Sequence, residues 1–251
     1  MRQVVAMSLV VAATASGCAS AGELHDADGS VLVLAAASLT DVFGSLADAF
    51  EATHAGTEIR LNFAASSSLR EQILGGLPGD VFASADETNV DEVVAAGDAS
   101  GEPKAFARNG LAIAVPAGNP AGVNGIADLA RSELLVGLCA ETVPCGELAR
   151  RALSVAGIEA SVDTHEPDVR ALLTKVEAGE LDAAIVYATD VAAAAGRVDS
   201  VEIELAVEVT TTYAIVTLAA GANPDGAELF VQFVLSAEGR SILGDHGFVA
   251  P

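Results

Sequence analysis

From residue 31 to residue 37 the chain is continuously apolar, and from Leu39 onward its hydrophobic positions recur at helical spacing. The run Val31-Leu-Val-Leu-Ala-Ala-Ala37 reads as a strand covered on both faces, as in a parallel sheet. Leu39, Val42, Phe43, Leu46 and Phe50 form the stripe of a helix over 39–54. The period changes at Ser38, and Ser38 with Asp41 three residues on has the spacing of a helix start. The same change recurs downstream. Residues 57–64 alternate, with Ile59, Leu61 and Phe63 on one face, and feed Ala65-Ser66-Ser67-Ser68-Leu-Arg-Glu71, where Ser68 and Glu71 are spaced as a capping box. A short strand over 80–84 precedes a helix over 88–96. Residues 110–115 form an apolar strand closed by Pro116, and the Gly/Pro/Asn-rich stretch 116–125 marks a shift in composition. A crossing between two domains is expected near 106–112.

The second half repeats the scheme. A strand over 134–138 leads to Thr142-Val-Pro144-Cys145-Gly-Glu147, which opens a helix with Pro in its first turn. A strand near 160–164 leads to Glu166-Pro-Asp168-Val169 and a helix carrying Leu172, Leu173 and Val176. The buried run 183–187 ends at Tyr187, just before Thr189-Asp190. Strands over 201–207 and 212–219 run back, followed by helices over 224–236 and 238–244. No sequence repeat is visible, yet the pattern predicts an α/β protein of two lobes. In both lobes the strands end in helix starts.

That topology has a chemical consequence. A helix start presents unpaired backbone N–H groups and the positive end of the helix dipole, a natural seat for an anion. Ser38, the serines at 66–68, Cys145, Val169 and Tyr187 all stand at such transitions, and in open α/β sheets ligands bind beyond the carboxyl ends of the strands. Brought together, they would surround a ligand with N–H and O–H donors and no counter-charge. Such a cage suits a small, fully ionised oxyanion. Asp80, Asp86 and Glu87 suggest catalytic carboxylates or metal ligands less well than caps and solvated turns. An exported serine hydrolase is the rival from another class. Ser38 lacks a Gly-x-Ser-x-Gly elbow, and His25, His54, His165 and His246 all fall in helix-end or loop contexts.

Composition narrows the partners. Lys and Arg total 12 against 35 Asp and Glu, a net charge of −23, which makes nucleic acid and anionic membrane surfaces poor partners. The charge does not forbid an anion site, because screening beyond roughly 10 Å leaves a desolvated site to its local dipoles. Residues 1–17 read as a signal peptide: Arg2 precedes an apolar stretch over 4–15 that is too short to span a bilayer. Ala15-Ser-Gly-Cys18 resembles the bacterial lipobox, in which the Cys is lipidated, with Ala15 where Leu is usual. Ordinary secretory cleavage is the alternative. Residues 18–30 then form a tether, and the chain is exported. With Cys18 lipidated, Cys139 and Cys145 remain as a pair outside the cytoplasm, where a disulfide is favoured. A metal site is the rival, with a poor ligand set.

Several motifs, in order, also resemble one family. Leu34-Ala-Ala-Ala-Ser38-Leu-Thr-Asp41, Phe63-Ala-Ala-Ser-Ser-Ser-Leu69, Gly79-Asp-Val-Phe-Ala-Ser-Ala-Asp86, Val143-Pro-Cys-Gly146, Glu166-Pro-Asp-Val-Arg170 and Ala184-Ile-Val-Tyr187 are similar to motifs of periplasmic molybdate-binding proteins. The end of the chain, 239–248, fits as well. The resemblance implies the type II periplasmic-binding-protein fold, two hinged lobes, 31–109 with 213–251 and 110–212, joined by crossing strands that close over the anion. It implies a monomeric receptor, not an enzyme, that hands molybdate or tungstate to the permease of an ABC importer. No cofactor is implied, and molybdenum enters only as the bound oxyanion. The implied contacts are the Ser38 and Ser66 hydroxyls and N–H groups, the N–H groups of Cys145 and Val169, and the Tyr187 hydroxyl. Cys145 stands where a small residue such as Ala is usual. A receptor for another oxyanion such as sulfate is the alternative; phosphate, protonated at neutral pH, would require an acceptor that this set lacks.

Overall fold

A computed structural model describes residues 29–251. The signal segment 1–17, Cys18, His25 and most of the tether lie outside the described residues. The first half of the chain runs β1 (Gly29–Ala36), α1 (Thr40–Thr53), β2 (Thr57–Ala64), α2 (Ser66–Leu74), β3 (Val81–Ser84), α3 (Glu87–Ala96) and the long β4 (Lys104–Pro116). It continues with β5 (Val136–Cys139), α4 (Pro144–Ala156), β6 (Val162–Glu166), α5 (Val169–Glu177), β7 (Ala183–Tyr187) and α6 (Ala188–Ala193). Strands β8 (Val198–Val201) and β9 (Thr210–Thr217) and helices α7 (Pro224–Leu235) and α8 (Ala237–Asp245) complete it. β1 begins two residues before the apolar run, because Gly29 and Ser30 pair in register with Thr57 and Glu58 of β2.

The strands form one sheet in the order β2-β1-β3-β9-β4-β7-β5-β6, with β8 also on β4. β4 joins its two halves. Residues from Lys104 to Gly110 pair antiparallel with β9, while Leu111 to Ala114 pair with β7. At about 3.3 Å per residue, its 13 residues reach roughly 40 Å, enough to take part in both halves. In the first half β1, β2 and β3 are parallel, and in the second β5, β6 and β7 are. Each half therefore sends its strand C-termini, and the helices that follow them, to one end of its sheet.

Helices cover both faces of the first half. Leu69 and Ile73 of α2 and Val90 and Val93 of α3 pack on Leu34 and Phe82. On the other face lies an aromatic cluster in which Phe43, Phe50, Phe106, Phe230 and Phe233 meet edge to face at centroid distances of 5.4–6.1 Å. Phe106 contacts Tyr213, and Tyr213 contacts Tyr187 at 5.9 Å, so the cluster extends to the site described below.

Several local expectations change. Ser38 does not cap α1: it sits in a short 3-10 turn, Ala37–Leu39, and Thr40 Oγ1 donates to the Ala37 carbonyl instead. The Ser68–Glu71 capping box does not form either. The bond from Leu69 N–H to the Ala65 carbonyl opens α2 at Ser66, so Ser68 is already helical, and Glu71 pairs with Arg70. The strand read over 201–207 is displaced to β8. That strand pairs β4 only as far as Ile113 and β9 takes over at Gly110, so residues 202–209 loop out despite their alternation. His165 lies within β6, not in a loop. Asp80 is a buried strut whose carboxylate accepts from the N–H groups of Leu32 (2.7 Å) and Asn223 (2.8 Å), and Asp86 caps α3 by accepting from Asn89 N–H.

Candidate functional site

Five strand-to-helix junctions meet at one small cavity. β1 brings Ser38, β2 brings Ser66, β5 leads to Cys145, β6 to Val169, and β7 ends at Tyr187; all five residues line the cavity. Its volume of about 20 Å³ is on the scale of one small ion or water. The first two junctions come from one half of the sheet and the last three from the other, so the walls close only because β4 holds the halves together.

The wall is a set of donors. The amides of Ser66, Cys145 and Val169 precede the first N–H groups of their helices that are bonded to a backbone carbonyl, which are those of Leu69, Gly146 and Leu172. They therefore have no intrahelical acceptor. Asp168 faces the cavity too, but its carboxylate accepts from Ala171 N–H as the cap of α5. The Tyr187 hydroxyl is buried and has no hydrogen-bond partner among the described residues. Burial holds this phenol well above its ordinary pKa, so the group stays a protonated donor. Among the described residues no Lys or Arg lines the cavity. Arg170, next in sequence to the cavity-lining Val169, pairs at 2.8 Å with Asp41, joining the first turns of α5 and α1.

The loop that carries Cys145 is tightly held. Cys139 at the end of β5 and Cys145 in the first turn of α4 form a disulfide with Cα atoms 5.9 Å apart, so the metal alternative for this pair is set aside. Gly146 follows, and a Cβ there would lie 1.9 Å from the Ala140 carbonyl oxygen. Only glycine lets the strand end and the helix start approach so closely.

Behind the cavity wall lies a second layer that sequence reasoning missed. Ser38 Oγ is 2.9 Å from Tyr213 Oη; Asn109 Nδ2 donates to Tyr213 Oη (3.3 Å) and to Thr189 Oγ1 (2.8 Å). The one available signal was scarcity: the chain has only two tyrosines, and both are fully buried here. Asn109 and Thr189 carried none, being single polar residues in otherwise ordinary segments. Asp190, in the first turn of α6, is 1 % exposed, and among the described residues its carboxylate oxygens have no hydrogen bond of normal geometry, the Tyr187 backbone N–H being the donor that faces them. Burial raises its pKa to about 8, opposed mainly by the positive charge of Arg170. A carboxyl that is neutral at pH 7 adds no negative charge beside a cage of donors.

With this geometry in view, the similarities to known proteins fall into place. Residues 31–249 match the family described as bacterial extracellular solute-binding protein. The chain is 39% identical over 222 residues to the molybdate-binding protein ModA of Mycobacterium tuberculosis, covering 88% of this chain and 85% of that one. Among solved structures it resembles the periplasmic molybdate-binding protein of Azotobacter vinelandii, with TM-score 0.76, 19% identity, and coverage of 88% and 99%. It resembles the sulfate-binding protein SubI of Mycobacterium tuberculosis equally well, with TM-score 0.77, 18% identity, and coverage of 88% and 86%. The two structural likenesses establish the two-lobed periplasmic-binding-protein fold and leave the choice of anion to the site itself.

The buried carboxyl gives a stability signature. Asp190 keeps in the folded state a proton that the unfolded chain gives up from pH 4 upward. Stability therefore falls as pH rises from about 4 to about 8, by up to ~1.4 kcal/mol per pH unit from this group, and levels off above its folded pKa. Asp190→Asn should remove that slope. In melts of ligand-free protein, the advantage of the variant over wild type should grow from pH 5 to pH 8; an equal difference at both pH values would show that Asp190 is ionised throughout.

Proposed function

The chain belongs to the family of bacterial extracellular solute-binding proteins, and we propose that it captures molybdate, with tungstate as an equivalent ligand, for the permease of an ABC importer. The observation that carries this reading is the Tyr187 hydroxyl, a buried donor with no hydrogen bond of normal geometry among the described residues, on a cavity walled by helix N-termini and lined by no described Lys or Arg. A group left in that state costs about 1–3 kcal/mol until an acceptor arrives, and only an acceptor with several free oxygens can serve this many donors at once. The 39% identity to a molybdate-binding protein supports molybdate over other dianions. Sulfate has the same charge but is smaller, so a rigid cage fitted to molybdate would leave its hydrogen bonds long. Family membership makes the protein a binder, and no catalytic role is assigned to Ser38 or the histidines.

The anion is held, in this reading, by the hydroxyls and N–H groups of Ser38 and Ser66, the N–H groups of Cys145 and Val169, and the Tyr187 hydroxyl. The lobes are 31–109 with 213–251, and 110–212, hinged where β4 and the 202–210 segment cross. The protein acts as a monomer. Ser16-Gly-Cys18 makes it a lipoprotein tethered outside the cell by Cys18.

Calorimetry of the desalted protein against molybdate, tungstate, sulfate and phosphate tests the ligand. Molybdate and tungstate should bind well below millimolar concentration and sulfate far more weakly; comparable affinity for sulfate would reject the selectivity. Ser38→Ala, Ser66→Ala and Tyr187→Phe should each weaken molybdate binding about ten- to a hundredfold, the worth of one hydrogen bond to a charged group, with the fold intact. Wild-type affinity in all of them would place the site elsewhere.

The disulfide should matter more to binding than to folding. A pre-closed loop presents the Cys145 N–H already ordered, whereas a free loop loses that entropy when the anion arrives. Reduction should weaken molybdate binding by more than the fall in melting temperature of the empty protein accounts for. Unchanged affinity after verified reduction would leave the bridge a purely structural element. For the anchor, Cys18→Ser should move the protein from the membrane fraction to the soluble one; an unmodified Cys18 in membrane-derived wild type would refute lipidation.

A further inference from the structure

We propose that Asn109, which does not line the cavity, dictates the direction of the Ser38 hydroxyl proton through Tyr213, making Ser38 an obligate donor and Asn109 a positioning residue for anion specificity. This rests on the reading of the cavity as an oxyanion site. The inference follows from counting protons along the chain of bonds. The Asn109 Nδ2 amide has two protons, and both are engaged, one on Thr189 Oγ1 at 2.8 Å and one on Tyr213 Oη at 3.3 Å. Tyr213 Oη therefore accepts from Asn109; the Tyr187 hydroxyl also faces it, outside normal hydrogen-bond geometry and on the donor side, so the single Tyr213 proton goes to Ser38 Oγ at 2.9 Å. Ser38 Oγ then accepts from Tyr213, and its own proton has no other described acceptor. Ser38 lines the cavity, so that proton points to the ligand.

A serine without this backing is ambivalent. Its hydroxyl rotates and can donate or accept, so it would satisfy a hydrogen-bearing anion such as hydrogenphosphate as readily as a fully deprotonated one. Locked as a donor, Ser38 meets a protonated ligand oxygen donor to donor, an arrangement with no hydrogen bond. The relay also joins the two halves of the sheet. Ser38 follows β1, Tyr213 is in β9, Asn109 is on the joining strand β4, and Thr189 is in α6. All four side chains are buried, which keeps water from supplying or removing a proton within the chain.

The test is a double-mutant cycle read by calorimetry against sodium molybdate and inorganic phosphate, with melting temperatures of the empty proteins as the fold control. In Asn109→Asp the carboxylate accepts from Tyr213, Tyr213 accepts from Ser38, and Ser38 turns its lone pairs to the anion. Molybdate affinity should fall by more than about a hundredfold, and the ratio of molybdate to phosphate affinity should narrow. Tyr213→Phe only frees Ser38, so its loss should stay under about tenfold. The decisive measurement is Asn109→Asp in the Tyr213→Phe background: with the relay broken, the double mutant should bind molybdate more tightly than Asn109→Asp alone. A penalty from Asn109→Asp that is the same with and without the Tyr213 hydroxyl would overturn the relay and leave a through-space charge effect. If Asn109→Asp fails to fold, Asn109→Ala reads the same coupling, with a loss that requires the Tyr213 hydroxyl expected and a loss independent of it overturning the proposal. Wild-type protein that binds no tetrahedral anion would overturn the oxyanion reading itself, whereas wild-type binding with an uncoupled cycle overturns the relay alone.

Discussion

The structure depends on one constraint: donors that belong to distant stretches of chain must face a common point with no room left over. A hydrogen bond loses its strength within a few tenths of an ångström and a few tens of degrees, so the backbone, and not flexible side chains, has to set the geometry. Parallel strands in each half of the sheet do this by delivering every following helix at the same end. β4 then fixes one half against the other by pairing β9 along its first part and β7 along its second. Each cavity-lining group sits within a few residues of a strand end, where the sheet ladder holds it.

This arrangement explains how a chain with net charge −23 accommodates a cavity lined by hydrogen-bond donors. The surface charge is solvated and screened, while the cavity sees oriented amides and hydroxyls at contact distance. Desolvation works in the same direction at two buried groups. It keeps the Tyr187 phenol protonated and holds Asp190 largely neutral at pH 7, so neither contributes a negative charge where the donors converge. The nearby Arg170 is already paired with Asp41 at the rim. In the proposed function this leaves shape rather than charge to select the ligand, since an unpaired cation would attract any anion.

The loop between β5 and α4 shows how closely the backbone is fitted. The disulfide and Gly146 act on the same few residues, one by tying the strand end to the helix start and the other by removing the side chain that would keep them apart. Cys145 presents a backbone N–H there, so the identity of its side chain is available for a structural bond without disturbing the donor.

Periodicity alone determined that the chain is an α/β protein whose strands end in helix starts, because burial on both faces of a parallel strand and on one stripe of a helix leaves a direct trace in hydrophobic spacing. The residues at Ser38, Ser66, Cys145, Val169 and Tyr187 were legible for the same reason: each lies where one period gives way to another. Tertiary structure alone decided the rest. Ser38 and Ser68 have cap-like spacing, yet the observed helix starts fall elsewhere, and the alternating 202–209 segment pairs with no strand, since β8 and β9 already occupy β4 on either side of it. Asn109, Thr189 and Asp190 left no pattern at all, and Tyr213 only its scarcity. Their roles come from hydrogen bonds and burial between segments as far apart as β1 and β9, and a one-dimensional sequence carries local preference but not the distance between two side chains.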